Sequence, residues 1–353
     1  MEEEQQENVR INFARTYFVA GQTELNEVNI TLRKFWEVDN SGTECLPSLT
    51  MRDEAILKKA QQSIKFVDGH YRIAIPWKED NVSLPDNYSM ALSRLQNLEK
   101  RLARNPEVAG AYQEIFDKHL EKGYIRQVDN LEKPKTTWYL PHFAVVRTDR
   151  PSTKTRIVFD ASAKYCGVSL NDVIHQGPKL QQELFNVLIR FRRYPVALVC
   201  DIAEMYLRIG LYPEDRSCHR FLWRSLNIHQ KPMEYEFNRL VFGVNSSPFL
   251  AQLVSRYHAV LYEKSHSRAA ETILQSTYMD DSMDSVLTDE QGVNLYKQLS
   301  ELWEKAGMHT HKWLSNSPAV MSKIPSQDRV YKINFDENTY LTIDQNTRNN
   351  VVS

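Results

Sequence analysis

Three acidic residues stand where charge is costly. Asp201 directly follows the apolar run Val196-Ala197-Leu198-Val199-Cys200, and Asp280-Asp281 follow Tyr278-Met279. Adjacent aspartates in a tight turn repel each other unless water screens them or a cation neutralises them. Magnesium takes oxygen ligands and pairs a few carboxylates with substrate phosphates. A strand-end aspartate facing a hairpin-tip pair can hold two such ions about 3.5–4 Å apart, the geometry of in-line phosphoryl displacement. Taken alone, an Asp-Asp pair is more often a solvated turn, and Asp284 and Asp289 show how common acidic residues are in this stretch.

Other residues acquire meaning only in that company. Tyr206 follows Asp201 by five positions, so its ring can close the floor under a sugar or simply fill a core. Phe242-Gly243 precedes Val-Asn-Ser-Ser-Pro248. A glycine there lets backbone approach a ligand closely, or makes a plain turn. Arg156 can donate charge-assisted hydrogen bonds to a triphosphate, or can be an ordinary surface arginine. Lys312 can protonate a leaving group, or can lie in solvent. Cys200 has no basic partner nearby in sequence and reads as packing.

The elements that must position these residues are partly legible. A capping pattern at Thr50 and Asp53, with Ile56, Leu57, Ala60 and Ile64 at helical spacing, predicts a first helix. Tyr71, Ile73 and Ile75 predict a short strand ending before Pro76. Helices are expected over 88–104, and from Asn105-Pro106 to a stop at Gly123. Residues 138–146 and 155–159 read as strands joined through a turn around Asp149-Arg150-Pro151. Residues 196–200 read as a buried central strand and 277–287 as a hairpin with an acidic tip. Between them a helix starts at Ser246-Ser247-Pro248 and reaches about Glu263, and Leu295, Leu299 and Leu302 mark another, ended by Gly307. Strands with interposed helices make the fold class α+β.

Composition sets bounds. The chain has 353 residues, 42% hydrophobic and 25% charged, with a net charge of −1. No global basic field exists, so any nucleic-acid contact must come from local patches. Two candidates are Arg147, Arg150, Lys154 and Arg156, and Arg190, Arg192 and Arg193; each is equally readable as a solvated face. Cys45, Cys166, Cys200 and Cys218 form no C-x-x-C pair, which argues against a zinc knuckle or a disulfide framework. The acidic, Gln-rich start is not a signal peptide, and no apolar run is long enough to span a membrane.

In order along the chain, these pieces resemble the motif series of reverse transcriptases. Leu140-Pro141-His142-Phe143 and Arg156-Ile-Val-Phe-Asp160 are similar to the two fingers motifs. Val199-Cys-Asp201-Ile-Ala-Glu-Met-Tyr206 resembles motif A, and Leu240-Val-Phe-Gly243-Val-Asn-Ser-Ser-Pro248 resembles motif B. Tyr278-Met279-Asp280-Asp281 is the motif C signature, residues 307–312 resemble motif D, and Trp313-Leu-Ser-Asn316 the start of a primer grip. Within that family the chain looks like the BEL/Pao LTR retrotransposons. The carriers include Leu32-Arg-Lys-Phe-Trp36, Gly69-His-Tyr71, Ile75-Pro-Trp77-Lys78, Leu84-Pro-Asp-Asn87, Leu170-Asn171-Asp172 and Lys312-Trp313. The resemblance covers roughly residues 30–330.

The resemblance implies a right-hand polymerase: an antiparallel palm sheet backed by helices, strand-hairpin fingers, and a thumb missing or truncated. It implies a disordered acidic stretch at 1–30, a helical pre-polymerase segment at 31–109, fingers and palm at 110–317, and a thumb or connection remnant at 318–353. It implies an RNA-directed DNA polymerase using two Mg²⁺ or Mn²⁺ ions. Asp201 and Asp280 would hold both ions, with Asp281 assisting and the backbone carbonyl of Ile202 completing one ion's shell. Arg156, the amides of Glu204 and Met205, Tyr206 as steric gate, Phe242 and Gly243 would meet the dNTP. Asn245, Pro248, Tyr278, Met279 and Trp313 would touch an RNA or DNA template-primer, and Lys312 would act as general acid. Protease, RNase H and integrase, the other domains of such a polyprotein, are absent from this stretch, so the chain is expected to be a piece of an element. The implied location is intracellular, in a cytoplasmic virus-like particle or the nucleus. The alternative is a catalytically silent remnant that keeps a nucleic-acid groove.

Overall fold

The computed structural model describes residues 49–128, 134, 136–146 and 155–330, and the backbone pairing of Ile333–Asn334 with Thr342–Ile343. The chain divides into two units, Met1–Arg52 and Asp53–Ser353, and the candidate site lies wholly in the second. The acidic N-terminal stretch, the Leu32–Trp36 motif, Cys45 and the basic residues Arg147, Arg150 and Lys154 lie outside the described residues.

The chain enters through α1 (Met51–Gln62) and a hairpin of β1 (Lys65–Val67) and β2 (His70–Ile73). Its two turn residues, Asp68 and Gly69, have φ of 53° and 77°. Asp-Gly suits that left-handed pair and matches the natural twist of a two-residue hairpin. Next come α2 (Tyr88–Leu102) and α3 (Pro106–Glu121). Asn105 caps α3 by accepting from the Val108 amide at 3.3 Å, and Gly123, at φ 66°, ends it as expected.

The expected strand over 138–146 is shorter. β4 (His142–Val146) pairs with β5 (Thr155–Phe159), whereas 138–140 run apart from that ladder. The reason lies in other elements. The Asn87 side chain bonds both the amide and the carbonyl of Tyr139, each at 2.8 Å. Trp138 exchanges backbone bonds with Ser217 and Arg220, and Leu140 donates to the Arg220 carbonyl. These partners hold 138–140 against β8 (Arg220–Trp223).

β3 (Ile125–Gln127), β9 (Met233–Phe237) and β8 form one antiparallel sheet in the order β3-β9-β8. Its core is aromatic: Phe116, Phe159, Phe221 and Phe237 pack edge-on or stacked around His142. His142 Nε2 donates to the Leu222 carbonyl, so Nδ1 accepts from the Tyr112 hydroxyl. Burial pushes the imidazole down to about 4 and keeps it neutral.

The second sheet carries the candidate site. β6 (Val196–Ile202) lies between β11 (Asp281–Val286) and β12 (Thr310–Ser315), with β10 (Thr277–Tyr278) outside β11, all antiparallel. β7 (Gly210–Leu211) pairs in parallel with β2. The remaining helices are α4 (Leu184–Phe191), the single turn α5 (Pro213–Arg216), α6 (Ser247–Leu261), α7 (Ser267–Gln275), α8 (Asp289–Lys305) and α9 (Pro318–Lys323). Burial along β6 alternates: Val196, Leu198, Cys200 and Ile202 are buried, whereas Ala197, Val199 and Asp201 are half-covered. The apolar run is therefore covered fully on one face only, and period two sets Asp201 on the more open face. Small antiparallel sheets with interleaved helices make the fold α+β. No helix among the described residues is long and apolar enough to cross a membrane.

Contacts cross position 109 repeatedly. Besides Asn87–Tyr139, Glu99 on α2 makes a two-pronged bond to Arg224, whose Nη1 also donates to the Gln230 carbonyl. Both side chains are nearly inaccessible, at 4% and 10% exposure. Removing one partner strands the other charge in the interior. Arg224→Met should therefore cost about 3–5 kcal/mol, and the double change Glu99→Leu with Arg224→Met should recover most of it. Urea unfolding midpoints of the two proteins read this directly; equal destabilisation by both would refute it.

Candidate active site

The antiparallel register sets Asp281 directly opposite Asp201, with Ser282 opposite Cys200. Tyr278 pairs with Asp281, so Met279-Asp280 form the two-residue tip, and Met279 takes a left-handed φ of 58°. Two bonds fix that tip. Gln252 on α6 donates to the Met279 carbonyl at 2.8 Å, and the Ile202 amide donates to the Asp280 carbonyl at 3.1 Å. All three aspartates thus meet where β6 ends.

On the other flank His311 of β12 pairs with Asp201. The register then slips between His311 and Leu314, and Lys312 sits in the irregularity at φ 52°. Such a bulge re-aims its side chain. Lys312 Nζ lies 2.5 Å from Asp201 Oδ2, and His311 Nε2 lies 3.4 Å from the same oxygen. Burial pushes the Asp201 carboxyl up, but hydrogen bonds from His311 and Lys312 outweigh it and hold the group below the usual range. Burial and the charge of Asp201 push Asp280 up, partly countered by Lys312 and Arg156. Asp281 rises to about 7, through burial and then the charges of Asp280 and Asp201.

Among the described residues no three His, Cys, Asp or Glu side chains are already gathered as a metal cage. The donor chemistry still suits a hard divalent cation. Three carboxylates meet at the end of one strand pair and its hairpin tip, two of them raised by burial and then by neighbouring carboxylates, and the third draws a cationic side chain onto itself.

Several other expected residues come to the same place. Tyr206, only 8% exposed, stacks on Phe242 with ring centroids 4.3 Å apart, and Phe242 is 55% exposed. Burial and then the charge of Asp280 push the Tyr206 hydroxyl up to about 12. Glu204 and Met205 open the 3₁₀ turn Met205–Arg208; Glu204 has φ 55° and its side chain turns to Lys122, Tyr124 and Arg208. Arg156 projects from β5, exposed, and its charge reaches Asp280. Gly243 has φ 105°, and an added Cβ would lie 2.1 Å from the Phe159 carbonyl oxygen. The glycine is thus required by the close approach of β5. Asn245 and Pro248 lie half-buried at the start of α6, and Tyr278 and Met279 half-buried at the tip. Trp313 is different. Its ring is 1% exposed, packs edge-on against Tyr296 and donates to Thr310 Oγ1, so it fills the core beneath the sheet and offers no surface to a primer.

Three residues have roles at the site that the sequence reading did not assign. His311 flanks Asp201, and its signal was its place one residue before Lys312. Asn171 bonds the Gly243 carbonyl and both the amide and the side chain of Asn245. Gln252, one turn into α6, anchors the acidic tip. The last two act across long stretches of chain and leave no local pattern.

No protein-family profile matches the chain, and no curated protein sequence matches it. Among solved structures it is similar to a foamy viral protease–reverse transcriptase in complex with an RNA/DNA hybrid. The identity is 16% and the TM-score 0.43, over 58% of this chain and 24% of that one. The chain spans about a quarter of that protein's length. At such a distance the reading of the site rests on its own geometry.

The raised carboxyl of Asp281 has a consequence for stability. Its folded value of about 7 lies above the ordinary 3.8, so folding binds a proton in that window. Its contribution is fully present below about pH 4 and is lost as pH climbs towards 7; Asp280 acts with the same sign and Asp201 with the opposite one. In EDTA, Asp281→Asn should flatten the decline in urea midpoint between pH 4 and 7 and make the protein more stable than wild type at pH 8. An unchanged slope would rule out this electrostatic account.

Proposed function

We propose that the chain is the fingers and palm of a reverse transcriptase of the BEL/Pao LTR retrotransposon type, with residues 110–317 as the polymerase core and 31–109 as the segment that precedes it. The observation that carries this reading is the direct pairing of Asp201 with Asp281 beside the Asp280 tip. The stack of Tyr206 on Phe242 supports it.

The reaction is attack of a primer 3′-hydroxyl on the α-phosphate of a dNTP, with pyrophosphate leaving. Asp201, Asp280 and Asp281 would hold two Mg²⁺ ions, which when bound supply charge neutralisation and a more acidic 3′-hydroxyl. Arg156 would grip the outer phosphates through charge-assisted bonds. The amides of Glu204 and Met205 would face the triphosphate. Phe242 and Gly243 would pack on the incoming nucleotide, and Phe242 would hold the Tyr206 ring in place to exclude a 2′-hydroxyl. Lys312 would release Asp201 and deliver its proton to pyrophosphate. Template and primer would be held largely by phosphate contacts, and therefore salt-sensitively.

Primer extension on an RNA template tests the assignment. Asp280→Asn should lower the rate about a thousandfold, equivalent to roughly 4 kcal/mol of lost transition-state stabilisation. Equal extension by wild type and variant would remove the reading, and duplex binding with no extension by either would favour the silent remnant. In the active enzyme Tyr206→Ala should raise ribonucleotide incorporation at least tenfold relative to deoxyribonucleotide. Unaltered sugar discrimination would withdraw the gate from Tyr206.

A further inference from the structure

A second charged recess, of about 310 Å³, is lined by none of the three carboxylates. His70, Lys122, Tyr124, Arg208 and Arg239 form its walls. The Tyr124 ring holds two cations, with Lys122 Nζ 5.6 Å and the Arg208 guanidinium carbon 6.0 Å from its centroid. Arg239 is fixed from behind. Its Nη1 donates to His70 Nε2, and His70 Nδ1 donates to the Asp68 carbonyl, so His70 is the neutral Nδ1-protonated tautomer. His70 therefore neutralises nothing.

Acceptors are scarce around these cations. Among the described residues no carboxylate pairs with Arg239. Glu204 serves both Lys122, at 2.8 Å, and Arg208, at 3.6 Å. Arg72 reaches Asp68 only at 3.9 Å. The Nε atoms of Arg72, Arg208 and Arg239 are all buried without a hydrogen-bond acceptor. Of the three cations that line the recess, Lys122 and Arg208 share one carboxylate and Arg239 pairs with none among the described residues. Partly buried cations short of carboxylate partners are costly, and an anion bound against Lys122, Arg208 and Arg239 offsets that cost. The rigid fork of arginine favours phosphate oxygens, and the cavity has room for more than one phosphoryl group.

We propose that this recess binds a phosphate-class anion of two or more charges, either free as pyrophosphate or carried as the polyphosphate tail of a nucleotide. Glu204 competes with that anion for Lys122 and Arg208. Because Glu204 opens the turn that carries Tyr206, occupancy of the recess is coupled to the turn next to the carboxylate cluster. The binding itself does not depend on the polymerase reading.

Calorimetric titration with inorganic pyrophosphate in EDTA tests it, since metal-assisted binding at the aspartates is then removed. Wild type should bind. Lys122→Gln and Arg208→Gln, both at partly exposed positions, should each weaken binding about tenfold. Glu204→Gln should tighten it, and Arg156→Gln should leave it unchanged. A dNTP arm separates the sources: dNTP binding tighter than pyrophosphate and weakened by Lys122→Gln indicates a nucleotide, equal binding weakened by the same change indicates a free anion, and either supports the site. Absent binding, binding indifferent to Lys122 and Arg208, or binding lost in Arg156→Gln would overturn it. Pyrophosphate binding by a protein whose primer extension is indifferent to Asp280→Asn would remove the polymerase assignment alone.

Discussion

The site depends on keeping three like charges together at the end of one strand pair. Two aspartates directly opposite in an antiparallel ladder are destabilising, and a third in the adjoining turn adds to it. The fold meets this asymmetrically. Asp201, on the central strand, has a carboxylate neighbour on β11 and two basic neighbours on β12. His311 and Lys312 hold its carboxyl low, and burial together with the remaining repulsion pushes the carboxyls of Asp280 and Asp281 up. One carboxylate held low beside two carboxyls pushed up is an arrangement in which a divalent cation would compete with protons.

The backbone shares in that arrangement. Glu204, Met279 and Lys312 all take left-handed φ values without being glycine. Each costs on the order of 1 kcal/mol and persists only where surrounding bonds determine it. For Met279 those bonds come from Gln252 and from the pairing of Tyr278 with Asp281; for Lys312 from the register slip in β12; for Glu204 from Lys122 and Tyr124. In each case the unusual residue turns a chain direction right beside an aspartate or the Tyr206 turn.

Local periodicity made much of this legible. Asn105-Pro106 and Gly123 marked both ends of α3, and the apolar run before Asp201 marked β6. The acidic hairpin fell where its residues said it would. What sequence could not give was partnership. Residues 138–140 carry good strand formers, yet a side chain fifty residues upstream claims their backbone. Trp313 follows Lys312 directly, and one bulged residue decides that the lysine faces the aspartates while the indole turns into the core. His311 was invisible for the same reason: its role exists only once β12 is in register with β6. Register and bulges follow from packing between distant elements, which no local pattern encodes.

The N-terminal hairpin shows how far that dependence extends. β2 pairs with β7, just past the Tyr206 turn. The Tyr71 hydroxyl donates to His258 Nδ1 on α6, and His258 Nε2 donates to the Leu302 carbonyl on α8. Gly307, at φ 71°, approaches so closely that an added Cβ would lie 2.2 Å from the Gly69 carbonyl oxygen. One turn, Asp68-Gly69, therefore touches the loop that launches β12, and β12 delivers His311 and Lys312 to Asp201. Displacing the hairpin would free the Gly307 loop, loosen the start of β12, and withdraw the His311 and Lys312 hydrogen bonds that hold the Asp201 carboxyl low. A segment some 130 residues before the first aspartate is in this way part of the electrostatics of the site.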